Sequence, residues 1–204
     1  MLIQKLTFTA ADTCLLTLED GTTVELDVLS VTQNRLCEGD DIDEALLAEL
    51  KLQTEHQKAR KAASRLLSTR MKTEKQLHQW LLSKGYSEAA TQRALEDVKS
   101  WGYINDAEYA KAFIEYRLAA SKKSWKAILW ELRREGVSSD HIDQALENME
   151  PDEDARALAV SARILGTKRD ERSLEKLKNA LLRYGFPWDS VYAALNHYRD
   201  EDDF

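Results

Sequence analysis

Between residues 73 and 195 the apolar positions fall into a frame that occurs three times. Thr73, Leu77, Leu81, Gly85-Tyr86 and Ala94-Leu95 set it out. Ser124, Ile128, Leu132, Gly136-Val137 and Ala145-Leu146 repeat it, and so do Ser173, Leu177, Leu181, Gly185-Phe186 and Ala194-Leu195. Leu or Ile residues four apart share one face of a helix. The Ser or Thr before them is placed to cap the helix start, and Gln76 could close a capping box with Thr73. Glycine supplies the left-handed turn that ends the helix. Ser87, Ser138 or Pro187 then starts the next helix, which carries the Ala-Leu pair. The glycines lie 51 and 49 residues apart, the mark of an internal repeat of helical units.

Before the frame the pattern changes. Leu16 and Leu18, then Val24, Leu26 and Val28, alternate with polar residues around Asp20-Gly21, a strong two-residue hairpin signal. With an earlier strand over about Leu2 to Phe8, turning near Ala10-Ala11-Asp12, residues 1–30 read as a small antiparallel sheet. Three strands bury little, so the sheet should lean on a helix. Asp41-Ile42-Asp43-Glu44 opens a helix to about Gln57. Ala59, Ala62, Ala63, Leu66 and Leu67 then form the stripe of the first repeat's first helix. Asn105 to Glu108 resembles a capping box and starts a helix to about Leu118; Pro151-Asp152 starts the third unit, whose first helix stops at Gly166. The expected domains are a sheet module over 1–45, a linker helix and first three-helix repeat over 46–102, a second repeat over 103–150, and a third with a frayed acidic tail over 151–204. The fold class is therefore mainly α, with tandem three-helix repeats and a small N-terminal antiparallel β-sheet.

Composition sharpens this picture. Two prolines and seven glycines in 204 residues suit a helical chain. Cys14 and Cys37 form no CxxC pair and read as reduced thiols in a cytoplasmic protein. No apolar run approaches membrane-spanning length and the start lacks a signal peptide, so no membrane partner is expected. The formal net charge of −7 hides a strong asymmetry. Residues 1–50 carry two bases against eleven acids, residues 51–149 eighteen against thirteen, and residues 150–204 nine against twelve. An acidic head precedes a basic helical body.

The bases recur at one phase of the repeat: Arg70, Lys72 and Lys75; Arg117, Lys122, Lys123 and Lys126; Lys168, Arg169 and Arg172. If the units stack regularly, equivalent positions line one side and could follow phosphates or acidic patches on a polymer; otherwise each is a solvated surface charge. Trp125, inside the second cluster, either stacks on a base or anchors its helix start. Trp80, Trp101 and Trp188 lie near helix ends and read as packing residues, and Tyr103, Tyr109 and Phe113 as core. No aromatic ladder for bases is evident. His56, His78, His141 and His197 form no metal-ligand pair, and no phosphate loop or nucleophilic triad stands out. The expectation is a non-enzymatic protein without cofactor or metal, monomeric by default.

Gly102-Tyr103-Ile104-Asn105-Asp106, followed by Tyr109-Ala110, Phe113 and Arg117, resembles the RecX family of recombination regulators. Leu66-Leu67-Ser68-Thr69-Arg70, then Thr73, Leu77, Leu81 and Lys84-Gly85-Tyr86, matches the opening half of the same pattern. The resemblance covers roughly residues 60–198, and the sheet with the Leu36/Gly39 turn looks like the family's N-terminal extension. It implies an elongated, curved molecule that binds the RecA recombinase and its filament on single-stranded DNA. It also implies inhibition of RecA's ATPase, strand-exchange and coprotease activities in recombination and the SOS response. The alternative from the residues is a stand-alone nucleic-acid-binding helical module that contacts DNA directly. A generic helical scaffold is a third possibility.

Overall fold

The computed structural model describes residues 1–9, 12–168 and 170–200. Among these, three strands are followed by ten helices. The chain divides into two compact units, Met1–Ile104 and Asn105–Phe204.

The first unit opens with β1 (Ile3–Phe8), β2 (Thr13–Leu18) and β3 (Thr23–Asp27), antiparallel in that order. Leu16 pairs with Leu6 on one side and Val24 on the other. Alternation puts Cys14, Leu16, Leu18, Val24 and Leu26 on one buried face. The expected turn at Ala10-Ala11 lies outside the described residues. The alternation stops one residue before Val28. Asp27 ends β3 and accepts a hydrogen bond from Leu29 N–H at 2.9 Å, which starts a short helix, α1 (Val28–Gln33). Sequence periodicity did not reveal α1, because fewer than two turns leave too little repeat to read.

The sheet does lean on a helix. In α2 (Glu44–Leu67), Leu47 and Leu50 close the core over Leu16 and Leu26. Thr54 stitches the two together: its hydroxyl donates to Leu50 O and accepts from Asp27 N–H at 2.9 Å. Here the structure corrects the expected break near Gln57. Residues 57–59 contain no Gly, Pro or capping residue, so linker and repeat helix form one 24-residue element. Its second half supplies Ala59, Ala63 and Leu66 to a core shared with α3 (Glu74–Ser83) and α4 (Glu88–Ser100). Thr73 and Ser87 cap α3 and α4.

The second unit contains two three-helix groups. Ala110 and Ile114 of α5 (Asp106–Ala120), Ile128 and Leu132 of α6 (Trp125–Arg134), and Ile142 and Ala145 of α7 (Ser139–Leu146) form one core. The other is built by α8 (Glu153–Leu165), α9 (Glu171–Arg183) and α10 (Trp188–Asp200) around Val160, Leu177, Leu181 and Leu195. Ser124 and Ser138 cap as the frame requires, but Ser173 does not. Asp170 caps α9 instead, accepting from Ser173 N–H at 3.0 Å and Ser173 Oγ–H at 2.6 Å. Two capping residues three apart compete, and the carboxylate wins at the positive helix end. The third connection, from Arg163 to its cap, is therefore no longer than that from Arg117 to Ser124. No helix among the described residues is long and apolar enough to cross a membrane.

The frame glycines are not equivalent. Gly85 and Gly185 both have φ near +88°, at +89° and +87°. A Cβ on Gly85 would meet nothing within 4 Å, whereas one on Gly185 would lie 3.0 Å from Ala127 Cβ and 3.2 Å from Ser124 Oγ. Gly85→Ala should therefore cost about 1–2 kcal/mol, the left-handed penalty alone. Gly185→Ala should cost a further ~1–3 kcal/mol for overpacking, measured by urea unfolding of the two variants.

Candidate partner-binding surface

Each basic cluster sits where one helix ends and a capped helix begins. In the first unit, α2 closes with Thr69 Oγ–H donating to Leu66 O at 2.8 Å and Arg70 N–H to the same carbonyl at 3.2 Å. Arg70 and Lys75 are exposed and Lys72 is half-buried. Buried Thr73 caps the next helix by accepting from Gln76 N–H at 3.1 Å. The nearby acid Glu74 pairs with Lys99 of α4 at 2.8 Å.

In the second cluster, Arg117 and Lys123 converge on one carboxylate. Arg117 Nε lies 3.1 Å from Glu131 Oε2, and Lys123 Nζ bonds Glu131 Oε1. Glu131 is 17 % exposed, so a half-buried acid in α6 offsets two of the four cations. Arg117 also lies over the Phe113 ring, 5.0 Å from its centroid. Lys126 is exposed and Lys122 half-buried. Trp125 is half-buried and packs against the core of its own group, as the anchoring reading expects.

The backbone carrying these cations is held from α8. Arg156 donates from Nη1 to Leu118 O at 2.8 Å, from Nη2 to Ser121 O at 2.7 Å and from Nε to Lys123 O at 3.2 Å. Arg163 adds a longer bond to Ala119 O. Those of Leu118, Ala119 and Ser121 lie at the negative end of α5, where a guanidinium belongs, and that of Lys123 in the connection beyond it. Burial pushes the Arg156 pKa below its ordinary value, and neighbouring Arg163 pushes the same way. One turn earlier, Glu153 accepts from Trp125 N–H at 3.0 Å and Lys126 N–H at 2.8 Å, at the positive end of α6. Ser124 completes the set. It caps α6 through Ala127 N–H, donates its own N–H to Tyr184 O and donates its hydroxyl to Gly185 O at 2.8 Å.

In the third cluster, Lys168 and Arg172 are exposed around the Asp170 cap; Arg169 lies outside the described residues. The two hydrogen bonds from Ser173 hold Asp170 below the usual carboxylate pKa. Sequence reasoning missed Glu131, Glu153 and Arg156. Glu153 is one of the twelve acids counted over residues 150–204, with no local mark of its own, and only the carbonyls it faces give Arg156 its role. The aromatic expectations need correction as well. Tyr103, Trp101 and Trp188 are exposed rather than packed. Trp130, for which the sequence carries no expectation, is exposed as well and lies under the Arg134 guanidinium at 4.8 Å. Tyr109 and Phe113 are half-buried and stack on each other in their core.

The geometry can be set beside known proteins. Residues 59–97 match the first three-helix domain of RecX and residues 105–146 the second. The regulatory protein RecX of Caldanaerobacter subterraneus subsp. tengcongensis is 38% identical over 143 residues, 70% of this chain and 71% of that protein. The RecX of Amycolatopsis mediterranei is 30% identical over 152 residues, 72% of this chain and 87% of that one. A crystal structure of regulatory protein RecX superposes with a TM-score of 0.72 at 22% identity, covering 96% of this chain and 98% of that one. That of RecX from Lactobacillus salivarius gives 0.61 at 21%, covering 71% and 97%. At these identities the structures speak for the fold.

Replacing Arg156 by Met keeps the side-chain bulk and leaves three carbonyls without their donor. The variant should lose about 2–5 kcal/mol of stability, and amide exchange should accelerate at residues 121–124 before it does in α3. Thermal unfolding with exchange mass spectrometry checks both.

Proposed function

This chain belongs to the RecX family of regulatory proteins, and from that premise we propose that it is a negative regulator of the RecA recombinase. It binds RecA and RecA filaments on single-stranded DNA in the cytoplasm, as a monomer and without catalysis of its own. The reading rests on one observation: both consecutive three-helix domains of the family are present, joined through Gly102-Tyr103-Ile104-Asn105-Asp106. Inhibition of ATP hydrolysis, strand exchange and coprotease activity would follow from bridging. A helical module that touches neighbouring filament subunits favours one arrangement of them and resists the rearrangements that turnover requires. The basic connections supply charge for phosphates or acidic filament surface, with Lys122 and Lys126 as the cations that Glu131 does not take up. The held backbone at residues 121–124 supports this role, because a preorganised contact loses less freedom on binding.

The test is DNA-dependent ATP hydrolysis by RecA with this protein titrated in, beside its binding to bare single-stranded DNA across salt. Inhibition at concentrations that leave bare DNA mostly unbound is the expected result. Inhibition that only tracks DNA occupancy would favour the stand-alone DNA-binding reading, with its steep salt dependence. Reversing Lys122, Lys123 and Lys126 to Glu should weaken filament binding at least about tenfold at low salt. Circular dichroism should show the helices intact, since none of the three side chains belongs to the hydrophobic core and Lys123 gives up only its bond to Glu131. Glu131→Gln, which releases Arg117 and Lys123, should shift affinity the other way; unaltered binding in both variants would rule this cluster out.

A further inference from the structure

The first unit carries a surface that the basic clusters do not explain. Trp101 and Tyr103 flank Gly102, whose φ of +73° turns the chain out of α4. Both rings stand in solvent, 47% and 57% exposed, and meet edge-on with centroids 5.7 Å apart and planes at 69°. The Arg60 guanidinium lies 5.5 Å from the Trp101 centroid. Arg60 is itself held by Gln57 and by Asp97 at 3.5 Å, and Asp97 by His56 at 2.8 Å. A tethered cation thus backs the indole, and the one acid in the group already has two basic neighbours.

Further along α2, Lys61 and Arg65 are exposed beside the rings. Lys61 lies 3.7 Å from Asp12, a pair open to solvent and worth little. Two shallow cavities of about 410 and 450 Å³ share Ser64 and Ser68. Trp101 with the three cations walls one, Tyr103 with Leu67 the other. Among the described residues Leu67 is the sole aliphatic side chain in these linings, so the surface suits a flat, polar-edged ring with an adjoining anion better than an apolar peptide anchor.

We propose that Trp101, Tyr103, Arg60, Lys61 and Arg65 bind an unpaired nucleotide of a nucleic-acid strand, its base stacked on Trp101 and its phosphate held by Lys61 and Arg65. A duplex keeps its bases stacked inside and offers only its phosphates, so the aromatic corner discriminates for single strands. The site needs no recombinase and stands or falls apart from the filament reading.

The test is fluorescence anisotropy of the 204-residue chain at low salt with labelled dT20, rU20 and a 20-base-pair duplex. Trp101→Leu should weaken binding of the preferred single strand about tenfold or more and change duplex binding less than twofold. Whichever of dT20 and rU20 binds more tightly identifies the strand. Arg65→Glu should weaken all three and flatten the salt dependence. Tyr103→Ser, at a more exposed position, repeats the experiment should Trp101→Leu lose helicity. Quenching of tryptophan emission by dT20 should fall in Trp101→Leu. Equal losses for strand and duplex, unchanged affinity in both aromatic variants, or no binding of either single strand would each overturn the proposal.

Discussion

The second unit depends on how four residues, Ser121 to Ser124, are satisfied. Within them α5 must terminate its carbonyls and α6 must begin its N–H groups, and neither set can be left bare where the chain is packed. The partners come from α8, more than two dozen residues away. Arg156 takes the carbonyls at the negative helix end and Glu153 the N–H groups at the positive one. The two side chains lie one turn apart on α8, so a single helix face meets two opposite dipole ends at once. Ser124 extends the same logic to the α9–α10 turn, where its hydroxyl finds Gly185 O. Cores of Ile128 and Leu132 on one side and Leu177 and Leu181 on the other are thereby fixed against each other. The polar clamp sets their register, which apolar burial alone leaves loose.

This arrangement bears on the cations. A lysine on a mobile connection loses side-chain and backbone freedom when it meets a phosphate; on a clamped backbone only the side chain has freedom left to lose. Lys122 and Lys123 ride on such a backbone, but Lys123 is also drawn to Glu131. The second cluster therefore offers fewer available charges than its sequence suggests, in a better fixed place. The first cluster differs: α2 closes on itself through Thr69 and Arg70, and its cations follow that local turn.

Much of the fold was legible because it is local. Thr73, Ser87, Ser124 and Ser138 cap where the frame put them, and the Leu and Ile positions four apart are buried. The frame slipped at Ser173 because Asp170, three residues before it, makes the stronger cap. The join of linker and repeat helix was missed because a change from acidic to basic residues looks like a boundary, although charge alone does not end a helix. Of the candidate surface, the sequence held the cations but not what they meet. Glu131 is adjacent to Lys123 only once α6 folds back, and nothing local distinguishes Arg156 from other helix arginines. Trp101 and Tyr103 misled for a related reason: aromatic residues beside a helix-ending glycine are as compatible with a solvent-facing corner as with a core.

The 24 continuous residues of α2 have a consequence for how such a chain can change over generations. Leu47 and Leu50 serve one core and Ala59, Ala63 and Leu66 another, on a single rod. One residue gained or lost between them turns one contact face about 100° relative to the other and shifts it by about 1.5 Å. Only steps close to whole turns, of about seven or eleven residues, restore the angular phase of the two faces, and they move them apart or together along the rod by about 10 or 16 Å. Heritable length variation in this stretch is therefore quantised. The connections after Arg70 and Arg163 carry no such phase, and the drift in chain length that evolution tolerates should collect there rather than after Arg117, where Arg156 and Glu153 hold the backbone.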